Sequence, residues 1–192
     1  MGIIYPGTCR NGMPPGRKAR SLRVAVDERL IAVDDGIQGR LQHSLHEQSG
    51  DFVVRRADRL VAYQLAVVVD DAEQGITHVV RGADLLDSTP RQVYLQQLLG
   101  YYRPQYTHLP VAANRAGEKL SKQTQARQID NSNPVATLRD VLQFLHQPLP
   151  DDPAAAQVDE LLDWAVTHWN PSAIPGLRSL PAPAVWLDGT NL

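Results

Sequence analysis

Hydrophobic and polar positions along the chain fall into three regimes. Residues 5–20 show no apolar period and are rich in Gly, Pro, Arg and Lys, which predicts a loop attached to another element. From Leu22 to Leu41 the pattern is strand-like. Arg23-Val24-Ala25-Val26-Asp27 alternates, Leu30-Ile31-Ala32-Val33-Asp34 does so roughly, and Gly36 and Gly39 mark tight turns around Ile37. Asp51-Phe52-Val53-Val54-Arg55-Arg56 is another short strand candidate, ending at Ala57-Asp58-Arg59.

Leu60 to Val69 is an apolar stretch that periodicity alone does not assign. The preferred reading is a buried helix from Tyr63 to Gln74, stopped by Gly75, followed by a buried strand at Thr77-His78-Val79-Val80. Pro90 marks a helix start with Ser88 or Thr89 as N-cap, and Gly100 suits the end of that helix. Tyr106–Ala113 reads as a short extended piece, and Gly117 as a turn.

Beyond Asn133-Pro134 the pattern becomes purely helical. Leu138, Val141, Leu142 and Leu145 share one face, and Val158, Leu161, Leu162, Ala165 and Trp169 share another. The final stretch carries Pro175, Pro181 and Pro183 and reads as an irregular surface tail. Strands alternating with helices, then helices alone, predict an α/β body with a small helical appendage.

Composition changes this picture little. A chain of 192 residues with 43% hydrophobic content can bury one sizeable core, and 21% charged residues is ordinary for a soluble protein. A net charge of −2 lacks the basic surplus of a dedicated nucleic-acid binder, although a local basic face remains compatible with it. Cys9 is the single cysteine, so no internal disulfide can form. No apolar run approaches membrane-spanning length, and the first residues lack the pattern of a signal peptide. The expectation is a soluble, cytoplasmic monomer.

Candidate chemistry begins at Lys119-Leu120-Ser121-Lys122, which follows a Gly turn and precedes Gln123-Thr124-Gln125. Two lysines around a serine on a mobile loop suit a polyphosphate: ammonium groups neutralise charge on phosphate oxygens, and a hydroxyl and backbone N–H groups donate hydrogen bonds. Solvated surface loops also carry such residues, so the four alone do not decide.

The neighbours decide. Asp51–Arg56, Tyr63–Asp71, Gly75–Asp84, Ser88–Gln92, His108–Pro110 and Lys119–Lys122 occur in order at plausible spacing. Together they resemble the glutamyl- and glutaminyl-tRNA synthetase family. That resemblance implies the C-terminal part of a class I synthetase Rossmann-like α/β catalytic domain, followed by a small helical segment. Residues 1–20 would be the remnant of a zinc-module loop, 21–132 half of the catalytic domain, and 133–192 the helical segment and proline-rich tail. Within the family the chain is most similar to a short paralogue. The likeness rests on Tyr5-Pro6-Gly7-Thr8-Cys9-Arg10, on Arg81-Gly82-Ala83-Asp84, and on the fewer than eighty residues after Lys122. That paralogue is understood to glutamylate queuosine in the anticodon of tRNA(Asp), using ATP with Mg2+ and L-glutamate.

By the same resemblance Tyr63 and Arg81 contact the substrate glutamate, Lys122 engages ATP, and Lys119 and Ser121 support it. Independently, an arginine at the end of a parallel strand offers a bidentate fork for a carboxylate. The competing roles are a salt bridge from Arg81 to Asp84 or Asp70, and a core position for Tyr63. Tyr5 and Cys9 match two ligands of the family's zinc module. Without an upstream cysteine pair the site is incomplete, and the expectation is no tight zinc outside a full-length form. His43 and His46 read as exposed loop residues, and His78 and His108 as hydrogen-bonded structural ones. Asp70 and Asp71 are adjacent and point apart on a helix.

The resemblance also implies that the family's first strand and its His-containing ATP signature would precede Tyr5, so the sequence predicts an N-terminally truncated chain. Its function is then glutamate activation in the full-length form. The alternatives are a catalytically inactive remnant or a fragment of a glutamate-tRNA ligase.

Overall fold

A computed structural model describes residues 4–13, 15–122, 124, 126–154 and 156–187. Its elements, in chain order, are β1 (Leu22–Val24), β2 (Leu30–Asp35), β3 (Gly39–Ser44), α1 (Leu45–Gln48), β4 (Phe52–Arg55), α2 (Tyr63–Glu73) and β5 (His78–Gly82). A 3-10 segment (Ala83–Ser88) leads into α3 (Thr89–Leu99), followed by β6 (Gln105–Leu109), β7 (Val111–Ala113), α4 (Pro134–Phe144), α5 (Val158–Thr167) and β8 (Ser179–Pro181). The sheets have strand orders β1-β4, β3-β2-β6-β5 and β7-β8. β2 pairs parallel to β6, with Asp35 opposite Tyr106, so the α/β class holds.

The chain folds as two compact units. The first comprises the described residues of Met1–Asp35, Arg40–Val79 and Leu85–Tyr106. Its core gathers Val26, Ile31, Val33, Val54, Val68 and Val93 from strands and helices alike. Alternation in β2 explains part of this: Ile31 and Val33 are buried while Leu30 is exposed. Polar side chains finish the packing of α2 on α3. Gln92 Nε2 donates to Gln64 Oε1 at 2.9 Å, and Gln64 Nε2 donates to Ser88 Oγ at 2.9 Å. Gly100 ends α3 at φ 68°, a left-handed value that suits a residue without Cβ.

The second unit comprises Gly36–Gly39, Val80–Asp84 and the described residues of Thr107–Leu192. α4 packs against α5, burying Leu142, Leu145 and Leu161. Asn133 caps α4 by accepting from the Ala136 N–H at 3.3 Å, and Pro134 opens the helix. Gln147 ties the far end of α4 to the end of α5: its Nε2 donates to the Asn170 carbonyl at 3.0 Å and its Oε1 accepts from the Asn170 N–H at 2.8 Å.

Several expectations are corrected. β1 stops at Val24 instead of reaching Asp27, because the Val26 N–H donates to Asp51 Oδ1 at 2.9 Å instead of to a strand partner. α2 is not a buried helix: only Val68 is buried along it. β5 is not a buried strand either, since it sits at the end of the strand order and leaves Val80 63% exposed. Ser88 precedes α3 as expected but does not cap it. Its backbone is already helical, and its hydroxyl accepts from Gln64. His43 and His46 lie in β3 and α1, and His43 Nδ1 is bonded to Gln48 Oε1 at 2.8 Å. The proline-rich tail is partly ordered structure. β8 runs parallel to β7, buries Leu180, and is followed by an Ala182 N–H that donates to the Ala113 carbonyl at 2.8 Å. α5 ends at Thr167, short of Trp169; Leu162 and Trp169 are exposed, and the buried position on α5 is Leu161.

Candidate active site

The second unit brings together the strand-end motif Arg81-Gly82-Ala83-Asp84 and the Lys119–Lys122 segment. Arg81 sits next to last in β5 and is partly buried. Its Nε donates to His108 Nε2 at 3.0 Å. An accepting Nε2 places the His108 proton on Nδ1, a tautomer inferred from this bond. His108 is fully buried in β6, and its carbonyl accepts from Gln38 Nε2 at 3.0 Å. The same amide group donates to the Leu177 carbonyl at 2.9 Å. The Arg81 Nε is thus held by a buried imidazole.

Asp84 pairs with Lys119, whose Nζ lies 2.5 Å from its Oδ2. Gly82 makes room for this carboxylate. A Cβ at Gly82 would come within 2.4 Å of Asp84 Oδ1 and 3.2 Å of Val111 Cγ1. Sequence reasoning placed Asp84 in the matched block but missed its partner; the only signal was a carboxylate and a lysine, each in a matched block.

The Lys119–Lys122 segment is a tied turn instead of a free loop. Lys119 bridges antiparallel to Ala113, and the Leu120 N–H donates to the Ala112 carbonyl at 2.8 Å. Thr124 Oγ1 accepts from the Ser121 N–H at 2.8 Å and lies 3.1 Å from the Lys119 carbonyl, to which it donates. The Ala126 N–H closes the turn on the Ser121 carbonyl at 3.0 Å. The Ser121 N–H is therefore engaged inside the turn and not offered to a phosphate as expected. Its Oγ accepts from the Thr124 N–H at 3.3 Å and lies 3.4 Å from Thr124 Oγ1. Lys122 is exposed and makes no hydrogen bond or ion pair among the described residues. Gln123 and Gln125 lie outside them. Beyond the turn a cavity of about 460 Å³ is lined by Leu120, Ala126, Ile129, Thr137, Val141 and Trp186.

Tyr63 belongs to the first unit, where it opens α2 and is 52% exposed, so it is not a core aromatic. Tyr5 and Cys9 also lie there. The Tyr5 hydroxyl accepts from the Cys9 N–H at 2.8 Å, and the Arg23 guanidinium stacks 4.0 Å from the Tyr5 ring centre. No group of three or more His, Cys, Asp or Glu side chains that could hold a metal occurs among the described residues. A phenol already accepting a hydrogen bond beneath a guanidinium, with one exposed thiol, does not make a closed zinc site.

Residues 8–145 match the family described as tRNA synthetases class I (E and Q), catalytic domain, and the chain belongs to that family. Among curated relatives, it is 53% identical over 183 residues to a protein named Glutamyl-Q tRNA(Asp) synthetase from Dechloromonas aromatica, covering 95% of this chain and 61% of the relative. The protein of that name from Thiobacillus denitrificans is 53% identical, with 95% and 60% covered, and that from Neisseria meningitidis serogroup A is 50% identical, with 91% and 59% covered. The chain thus spans about 60% of the length of these relatives. A solved glutamate-tRNA synthetase from Elizabethkingia anophelis shares the fold at a TM-score of 0.65 and 21% identity, covering 86% of this chain and 37% of that one.

Proposed function

We propose that the whole protein activates L-glutamate with ATP and transfers the glutamyl group to queuosine in tRNA(Asp), acting in the cytoplasm. Activation joins the glutamate α-carboxylate to the α-phosphorus of ATP and releases pyrophosphate. Transfer then returns AMP. The likeness to relatives named Glutamyl-Q tRNA(Asp) synthetase at 53% identity carries this reading.

The geometry supports a division of labour. The Lys122 ammonium, exposed on a tied turn, neutralises charge on the departing phosphates of ATP, whose Mg2+ travels with the nucleotide. Ser121 supports it from within the turn, its hydroxyl and N–H bonded to Thr124. Arg81, held by His108, takes a carboxylate of glutamate. Nothing in these steps uses zinc.

The test is transfer of labelled glutamate to purified tRNA(Asp) with and without queuosine. The expected result is label on the queuosine-bearing tRNA alone, carried in the anticodon-loop fragment after ribonuclease digestion and absent from the 3′-terminal fragment. Label on the 3′ end of any tRNA would overturn it in favour of a glutamate-tRNA ligase.

A further inference from the structure

We propose that Asp84 is a positioning residue: its carboxylate latches Lys119, so that Lys119 anchors the turn and Lys122 alone meets the phosphates. This deepens the function proposed above: the roles given to Lys122 and Arg81 rest on that reading, the latch between Asp84 and Lys119 does not.

Three observations point the same way. First, the two lysines of the turn have different surroundings. Lys119 is held at both ends, its backbone bridged to Ala113 and its ammonium 2.5 Å from Asp84 Oδ2, whereas Lys122 makes no such bond among the described residues. A lysine that already neutralises a carboxylate offers a phosphate less net charge than one that does not.

Second, the space for the latch is made by a missing side chain. Any Cβ at Gly82 would collide with Asp84 Oδ1, although Gly82 has no positive φ that would itself demand glycine. Third, Asp84 lies two residues beyond Gly82 and three beyond Arg81, on the strand-end motif that carries the glutamate-binding arginine. The latch therefore ties the phosphate-facing turn to the element that holds the amino acid. Exposed ion pairs contribute little to stability, and this pair is half open to water, so its value lies in register. Misplacement of a reacting group by about 1 Å can cost roughly a hundredfold in rate.

The test uses the whole protein and measures glutamate-dependent ATP–pyrophosphate exchange. Asp84→Asn and Lys119→Met are each expected to lower kcat by about ten- to a hundredfold, with KM for glutamate little changed. The double variant should be no worse than either single one, because both remove the same latch. Lys119→Arg, which keeps the pair, should restore most of the activity. Gly82→Ala, which keeps every charge, should reproduce the loss. A Lys119→Met defect far larger than that of Asp84→Asn, with the two multiplying in the double variant, would overturn the latch and make Lys119 a phosphate ligand. Full activity of Asp84→Asn would overturn it as well. A second readout is independent of activity: amide hydrogen exchange at Leu120 and Ala126 should quicken in Asp84→Asn while Leu161 stays protected. Unchanged exchange at Leu120 and Ala126 would count against the latch. If the wild-type protein shows no glutamate-dependent turnover, the functional reading fails and the hydrogen-exchange arm still decides the latch.

Discussion

In the first unit Ile31, Val33, Val54 and Val93 meet side chain to side chain, whereas in the second the Lys119–Lys122 turn is fixed by an ion pair, a threonine hydroxyl and backbone bonds. The first arrangement is non-directional, and its cost of disruption scales with the area or volume removed. The second is directional, so small losses of stability there change where a charged group points. Within one chain, then, stability and chemistry are assigned to different kinds of contact.

That contrast can be broken by substitution. The largest effect on stability should come from Ile31→Ala, about 2–5 kcal/mol, read as a lower urea midpoint at unchanged slope. An equal loss from Lys119→Met would erase the contrast. Lys122→Met should lower kcat for exchange by about 10² to 10³ while leaving the urea midpoint in place. Asn133→Ala removes the side-chain cap of α4 and should cost about 1 kcal/mol in the same titration.

The smallest effect concerns acid. A hydrogen bond from Arg29 holds the Asp27 carboxyl below its ordinary value of 3.8, so the charged form is favoured in the folded protein. The stability this contributes is present above that value and lost as pH falls through the lower, folded one. Asp27→Asn should therefore lower stability slightly near neutrality, where the contribution is complete, and converge with the wild type in acid, so that its curve is flatter below pH 3.8, as urea titrations at stepped pH would show.

Local patterns were legible in both units. The alternation in Leu30–Asp34, the Pro90 and Gly100 boundaries of α3 and the face shared by Leu142 and Leu145 are local patterns, and each reappears as packing. Contacts between distant residues were not. Asp84 and Lys119 are 35 residues apart, and Gln38 and Leu177 are 139 apart. The parallel pairing of β7 with β8 likewise joins a strand to a stretch whose prolines read as irregular. Of the site residues, Lys122 and Arg81 stood out because matched blocks surround them. His108 and Asp84 also lie in matched blocks, and His108 read as a hydrogen-bonded structural residue, as it is; which side chain each of them holds was not legible, nor was the role of Thr124, since a hydrogen bond is set by the fold around it.

The most direct measurement is ATP–pyrophosphate exchange by the whole protein with each amino acid in turn, without tRNA. The account predicts exchange with glutamate, lost in Lys122→Met. Exchange with another amino acid instead of glutamate, or none with any, would contradict it.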